Sequence, residues 1–182
     1  LEFRRVLFRS NVDADAHTVL VLPESLDFEL GALVEPLSVG MHGANQGRIA
    51  ADDKVVVYGG GPVGLSAAIA ARYKGAADVV VADLSEHRLG IASRLGFATL
   101  NPSAQQVADF LKRRHGVVRN DPLLGDQPGT DVFIEATGVG PVFEDILTTA
   151  RKGARVVVVG VHFTPVELNM INLLMRELED RK

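Results

Sequence analysis

The stretch Lys54–Gly64 (KVVVYGGGPVG) constrains this chain more than any other, because it prescribes an apolar strand that turns on glycine straight into a helix. Val55, Val56, Val57 and Tyr58 are β-branched or aromatic and predict a buried strand. Gly59, Gly61 and Gly64 come next in the spacing G-x-G-x-x-G. In that spacing Gly59 allows a tight turn, Gly61 lets the backbone approach a pyrophosphate, and Gly64 lets the helix close on the strand. Pro62 opens the helix Pro62–Lys74, where its missing N–H would be unpaired anyway. The free N–H groups and the positive dipole end there suit an anion. A second buried run, Val79–Ala82, ends in Asp83. An acid at that place can accept hydrogen bonds from both ribose hydroxyls and would repel a 2′-phosphate, which favours NAD over NADP. A glycine turn alone can be purely structural, and Asp83 alone can be read as a helix N-cap, a role Ser85 could also fill. Strand, turn, helix, second strand and terminal acid in register make the dinucleotide reading the stronger one.

Composition narrows the alternatives. The 182 residues give room for one ordinary domain with flanking structure, and 47% hydrophobic residues suffice for a buried core. A 5% aromatic share disfavours base-stacking nucleic-acid modules, and a net charge of −4 gives no electrostatic case for DNA, RNA or an anionic membrane. No apolar run is long enough to span a bilayer, and no cysteine is present for disulfides or thiolate metal sites. The expectation is a cytoplasmic enzyme without nucleic-acid or membrane partners, in keeping with the lack of a signal-peptide pattern.

Leu1–Ser10 (LEFRRVLFRS) differs in character from the rest of the chain and resembles the in-frame translation of a common sequencing-library adapter. We treat residues 1–10 as an artefact outside the fold, the alternative being a basic amphipathic arm carrying Arg4, Arg5 and Arg9. On that reading the frame begins upstream and the chain is a fragment. Asn11–Leu22 is irregular, and Asp27–Gly47 predicts a helix that Pro36 should break or kink near Glu35. After Asp83 we expect a helix over Ser85–Leu95, a short strand Ala98–Leu100, and an amphipathic helix Ala104–His115. Gly116–Gly129 reads as an exposed loop, Asp131–Glu135 as a strand, 136–150 as turn and helix, Arg155–Val159 as a valine-rich strand, and Pro165–Leu178 as helix-like. Strand and helix alternate throughout, so the fold class is α/β with a doubly wound parallel sheet.

Val34–Gly43 (VEPLSVGMHG), Val57–Gly64 (VYGGGPVG), Val80–Leu89 (VVADLSEHRL), Gly129–Gly138 (GTDVFIEATG), Arg155–Gly160 and Pro165–Leu178 (PVELNMINLLMREL) stand in ordered succession. Together they resemble the zinc-dependent, medium-chain alcohol and polyol dehydrogenases, such as sorbitol, threonine and butanediol dehydrogenases, over about Leu22–Leu178. The resemblance implies a Rossmann domain over 51–182, incomplete at its C-terminal edge, and a remnant of a catalytic, GroES-like domain with a connecting helix over 11–50. It implies hydride transfer between a secondary alcohol, small or polyol, and NAD, with zinc acting as Lewis acid on the alcohol oxygen. It assigns Gly59, Gly61, Pro62, Val63 and Gly64 to the pyrophosphate, Asp83 to the adenosine ribose, Arg88 to the adenine side, and Thr137, Gly138, Val159, Gly160 and Val161 to the nicotinamide half. From the residues alone Arg88 also fits a solvated helix face, and Val159 and Val161 fit core packing.

By itself Glu35 reads as a helix-terminal carboxylate in solvent. The resemblance places it at the zinc site, as a ligand or through water, where a carboxylate could also take a proton from the substrate hydroxyl. No metal ligand is therefore assigned within the chain. His42 matches a histidine common in this motif and reads as packed or cofactor-adjacent, while His17, His87, His115 and His162 read as surface or loop residues. The family's principal ligands, a cysteine and a His-Glu pair, and its four-cysteine structural-zinc lobe are missing, so zinc is expected only in a full-length parent. Glu179–Lys182 looks too charged for the sixth strand that pairs across dimers in many relatives, although the parent is expected to be a homo-dimer or homo-tetramer. Two other readings remain: a zinc-free reductase using NADPH, against which Asp83 and Glu35 speak, and an NAD-binding module without catalysis.

Overall fold

The computed structural model describes residues 21–121 and 124–181. The adapter-like Leu1–Ser10, most of Asn11–Leu22, and His17 lie outside the described residues. The chain divides into two units, 1–33 and 34–182. In the first, Asp27 caps a single helical turn, α1 (Phe28–Gly31), its Oδ1 accepting the Leu30 N–H at 2.8 Å.

The second unit starts with α2 (Val34–Gln46). The helix expected over 27–47 is thus two helices, with Pro36 in the first turn of the second, where its missing N–H deprives no carbonyl. Next come β1 (Lys54–Tyr58), α3 (Pro62–Tyr73), β2 (Asp78–Ala82), α4 (Glu86–Arg94), β3 (Ala98–Leu100) and α5 (Val107–His115). After these stand a hairpin of β4 (Val117–Asp121) and β5 (Gly125–Pro128), then β6 (Val132–Glu135), α6 (Gly140–Thr149), β7 (Arg155–Val158), α7 (Met170–Arg176) and β8 (Glu179–Arg181). The main sheet is parallel, in the order β3-β2-β1-β6-β7-β8. The order reverses between β1 and β6, which opens a crevice at the strands' C-terminal ends.

Continuous valine runs suit these strands because both faces are covered. Val55, Val57, Val79, Val81, Val132 and Ile134 pack on one face with the alanines of α3. Val56, Tyr58, Val80, Phe133 and Val156 pack on the other with Leu111, Phe143 and Ile146. Small residues on α3 let α2 come close: a Cβ on Gly40 would lie 2.4 Å from the Ser66 carbonyl carbon.

Four expectations need correction. Gly116–Gly129 is not a plain loop but the antiparallel β4–β5 hairpin, with an irregularity between Arg119 and Asp121. Its Pro and Gly residues mask the pairing of Val117 and Val118 with Pro128 and Gln127. Glu179–Arg181 does form a sixth strand, parallel to β7; ladder bonds are made by the backbone, and edge strands tolerate charge. Helix α5 begins at Val107 rather than Ala104, because Asn101 builds its own turn, its Oδ1 accepting the Ser103 N–H at 3.0 Å. Likewise Pro165–Leu178 shortens to α7, capped by Asn169. Among the described residues no helix is long and apolar enough to cross a membrane.

Candidate cofactor-binding site

At the end of β1, Gly59 adopts φ +104°, a conformation open to glycine and closed to most side chains. A Cβ on Gly64 would lie 1.8 Å from the Gly59 carbonyl oxygen, so α3 can reach the turn only if that residue is glycine. Gly61 differs: an added Cβ would meet nothing within 4 Å. Its lack of a side chain relieves no contact within the protein and leaves free space on the ligand side. Pro62 starts α3, with Gly61 as an N-cap that supplies no side-chain bond. The first bond into the helix runs from Leu65 N–H to Gly61 C=O at 2.9 Å, leaving the Val63 and Gly64 N–H groups without a partner in the helix.

Asp83, just past β2, is pinned on both oxygens. Oδ2 accepts the Gly60 N–H and Oδ1 the Ser85 N–H, each at 2.7 Å. The carboxylate side chain is only 8% exposed, and Arg88 Nη1 stands 3.5 Å from Oδ2. Oδ1, with one partner, keeps a further lone pair for a ligand hydroxyl. Ser85 takes the N-cap of α4, which leaves Asp83 to its position beside the glycine turn.

Gly59, Gly61, Pro62, Val63, Gly64, Asp83, Arg88 and Thr137 line one cleft of about 730 Å³, walled also by Leu84, Pro102, Val139 and Val142. That is a volume of small-molecule size. Tyr58 closes one side and donates its hydroxyl to Asp145 Oδ2 at 2.7 Å. Burial, then the nearby Asp145 charge, pushes the phenol well above its ordinary value, so it remains a donor. Burial likewise raises the Asp145 carboxyl, against the pull of the Tyr58 hydrogen bond. Gly138, Val159, Gly160 and Val161 do not line this cleft but adjoin it: a Cβ on Gly138 would lie 2.4 Å from the Val161 oxygen, and one on Gly160 2.4 Å from the Gly138 nitrogen.

Residues 62–180 match the family model of the zinc-binding dehydrogenases. The chain belongs to that family. It is 37% identical over 164 residues to sorbitol dehydrogenase of Gallus gallus, covering 88% of this chain and 43% of that one. The crystal structure of 2R,3R-butanediol dehydrogenase from Bacillus subtilis superposes with a TM-score of 0.75 at 28% identity, covering 88% of this chain and 43% of that one. A zinc-binding dehydrogenase of Sinorhizobium meliloti, solved bound to NADP, gives 0.70 at 31% identity, with 87% and 45% covered. The chain spans less than half the length of the curated relatives it matches.

Within this zinc-binding dehydrogenase chain the glycine cradle, the free helix N–H groups and the adjacent acid fit a dinucleotide. A metal is another matter. Among the described residues no group of three or more His, Cys, Asp or Glu side chains is placed to hold one. Glu35 lies exposed in the first turn of α2, and His42, also exposed, faces Gln46 at 3.4 Å rather than being packed.

One histidine corrects the reading of the four as surface or loop residues. His115 is 2% exposed and bonds Thr130 and Asp78. His162 does lie in a loop, half-buried against Glu135. Glu135 itself, with no exposed surface, was not singled out from the sequence. Its one local signal was a charge closing an otherwise apolar strand, where ionised side chains seldom lie unless paired.

Proposed function

We propose that this chain is the NAD-binding part, residues 51–182, of a dehydrogenase that transfers hydride between a secondary alcohol or polyol and NAD. Residues 11–50 are then a remnant of the catalytic domain with its connecting helix. The glycine turn carries the reading, because Gly61 stands free of the protein while Gly59 and Gly64 are forced to be glycine by it. The Val63 and Gly64 N–H groups hold the pyrophosphate at the positive end of α3. Asp83 receives a ribose hydroxyl on the spare lone pair of Oδ1 and disfavours a 2′-phosphate. Arg88 flanks the adenine side, and Thr137, Gly138, Val159, Gly160 and Val161 bound the nicotinamide half. Bound there, NAD supplies the hydride acceptor of the reaction.

The donors among the described residues do not assemble a zinc site, so the catalytic zinc of the whole protein is assigned to residues beyond this chain, with Glu35 beside it in the assembled enzyme. The isolated chain is then inactive. The sorbitol and butanediol dehydrogenases it resembles point to a small alcohol or polyol substrate. The exposed Met170, Ile171 and Leu174 on α7, just ahead of edge strand β8, support a homo-dimeric or homo-tetrameric parent. A cytoplasmic location agrees with the cysteine-free sequence.

A titration of the chain with NADH and NADPH, followed by cofactor fluorescence, tests the reading; there is no tryptophan to add background. Saturable binding with NADH preferred is the expected result, and Asp83→Ser should erode the preference. A folded chain blind to both nucleotides overturns it. NADPH preferred would favour the zinc-free reductase reading, for which Arg88 at 3.5 Å from Asp83 is the supporting observation.

A further inference from the structure

One residue outside the glycine motif ties together the two segments assigned to the nicotinamide half. The main-chain carbonyl of Glu135 accepts the N–H groups of Val159 and Gly160 at 2.8 and 2.9 Å. Its side-chain Oε1 accepts the N–H groups of Thr137 and Gly138 at 2.6 and 3.0 Å, and the Thr137 hydroxyl as well. Its Oε2 accepts from His162 Nε2 at 2.9 Å. The His162 ring is itself seated edge-on against Phe143, centroids 6.3 Å apart. A Cβ on Gly160 would lie 2.5 Å from Oε2, so the carboxylate and the 159–161 segment are in direct contact.

A residue serving only the core at this place would be apolar, like Val132, Phe133 and Ile134 before it. A buried carboxylate is unfavourable unless fully hydrogen-bonded, and here the donors come entirely from the 137–138 turn and the segment after β7. Such a network fixes one arrangement of two loops that would otherwise be free to differ. We propose that Glu135 and His162 are positioning residues that lock 137–138 and 159–161 into one preset platform for the nicotinamide half, independently of the adenosine half set by Asp83. This rests on the cofactor reading above.

The test uses the full chain, NADH, and ADP-ribose, which keeps the adenosine half and both phosphates but lacks nicotinamide. The wild-type chain should bind NADH more tightly than ADP-ribose. Glu135→Gln retains one acceptor oxygen and loses the charge; it should weaken NADH about tenfold, the size of one charge-assisted hydrogen bond, and leave ADP-ribose within about twofold. His162→Ala should weaken NADH about threefold with ADP-ribose again unchanged. Circular dichroism reports folding, and if Glu135→Gln does not fold, the partly exposed His162 decides alone. The proposal is overturned if NADH and ADP-ribose weaken together in folded variants, if neither weakens, or if the wild-type chain binds the two equally. A wild-type chain that binds neither overturns the cofactor reading itself, and this proposal with it.

Discussion

The N-terminal ends of the strands and the C-terminal ends of β1 and β2 handle polar groups in opposite ways. At the strands' N-terminal ends they are closed on one another. Lys54 donates its N–H to Asp131 Oδ2 at 2.8 Å and its Nζ to the His115 carbonyl at 2.6 Å. Arg114 grips both oxygens of Asp78, Arg151 pairs with Asp131, and Arg155 pairs with Asp53. At the C-terminal ends of β1 and β2 the pattern is open: Gly61 faces empty space, the first turn of α3 keeps free N–H groups, and Asp83 Oδ1 has a lone pair to spare. Closed polar groups stabilise a fold without recognising anything, whereas open ones are available to a ligand.

Two glycines in the same turn should break this comparison most sharply. Gly64→Ala puts a Cβ 1.8 Å from a backbone carbonyl, which no side-chain adjustment relieves. It should lower stability by about 3 kcal/mol or more and abolish NADH binding. Gly61→Ala meets nothing. Urea unfolding should place it within about 0.5 kcal/mol of the wild type, while fluorescence titration shows NADH affinity down at least about tenfold. If Gly61→Ala binds NADH normally, the open end does not recognise the pyrophosphate.

The closed end should give the converse. His115 Nε2 lies 3.1 Å from Asp78 Oδ2 and Nδ1 2.8 Å from Thr130 Oγ1. Asp78 can only accept, so a neutral ring with its proton on Nε2 satisfies both contacts, the Thr130 hydroxyl donating to Nδ1. Burial holds the imidazole below its ordinary value, against the pull of Asp78, with the Lys54 and Arg114 charges reinforcing the effect. The unfolded chain takes up its proton near the ordinary value of about 6.5, while the folded chain resists. Stability should therefore fall as pH drops through about 6.5 and stop falling from this source below the lowered folded value. Burial opposes ionisation of Asp78, but the Arg114 and His115 contacts hold its carboxyl below the usual value, which adds a second loss in the same direction at more acid pH. Urea midpoints between pH 8 and 5 check this. His115→Gln should flatten the dependence near pH 6 and reduce stability by about 2 kcal/mol, with NADH affinity at pH 8 unchanged within about twofold.

The same contrast explains what the sequence shows. The cradle was legible because its spacing is local, with Gly64 required by the Gly59 carbonyl of the same turn, and the strands because burial on both faces demands unbroken apolar runs. Asp83 was legible from its place after the second run. His115 was not: it ends a run, Lys112-Arg113-Arg114-His115, that looks like a solvated helix end, and only its meeting with Thr130 and Asp78 buries it. Glu135 and His162 are 27 residues apart, so neither announces the other. The β4–β5 hairpin was hidden by the prolines and glycines of its own sequence. What escaped was closed by partners remote in sequence, and what was legible was local.

The smallest effect expected lies between the two ends of the scale, at Arg88. Its Nη1 is 3.5 Å from Asp83, and the side chain is 55% exposed. An exposed pair at that distance contributes at most about 0.5 kcal/mol, so Arg88→Ala should leave the urea midpoint almost unmoved. Its effect on ligands separates two positions for the guanidinium. Beside the adenine ring it would stack against NADH and NADPH alike, and the variant should weaken both by about twofold to threefold. Near the ribose 2′ position it would offset the repulsion of Asp83 for a phosphate, and the variant should weaken NADPH alone. The first outcome follows from the proposed place of Arg88 on the adenine side. The second would place Arg88 in cofactor selection and make the open end more tolerant of NADPH than Asp83 alone implies.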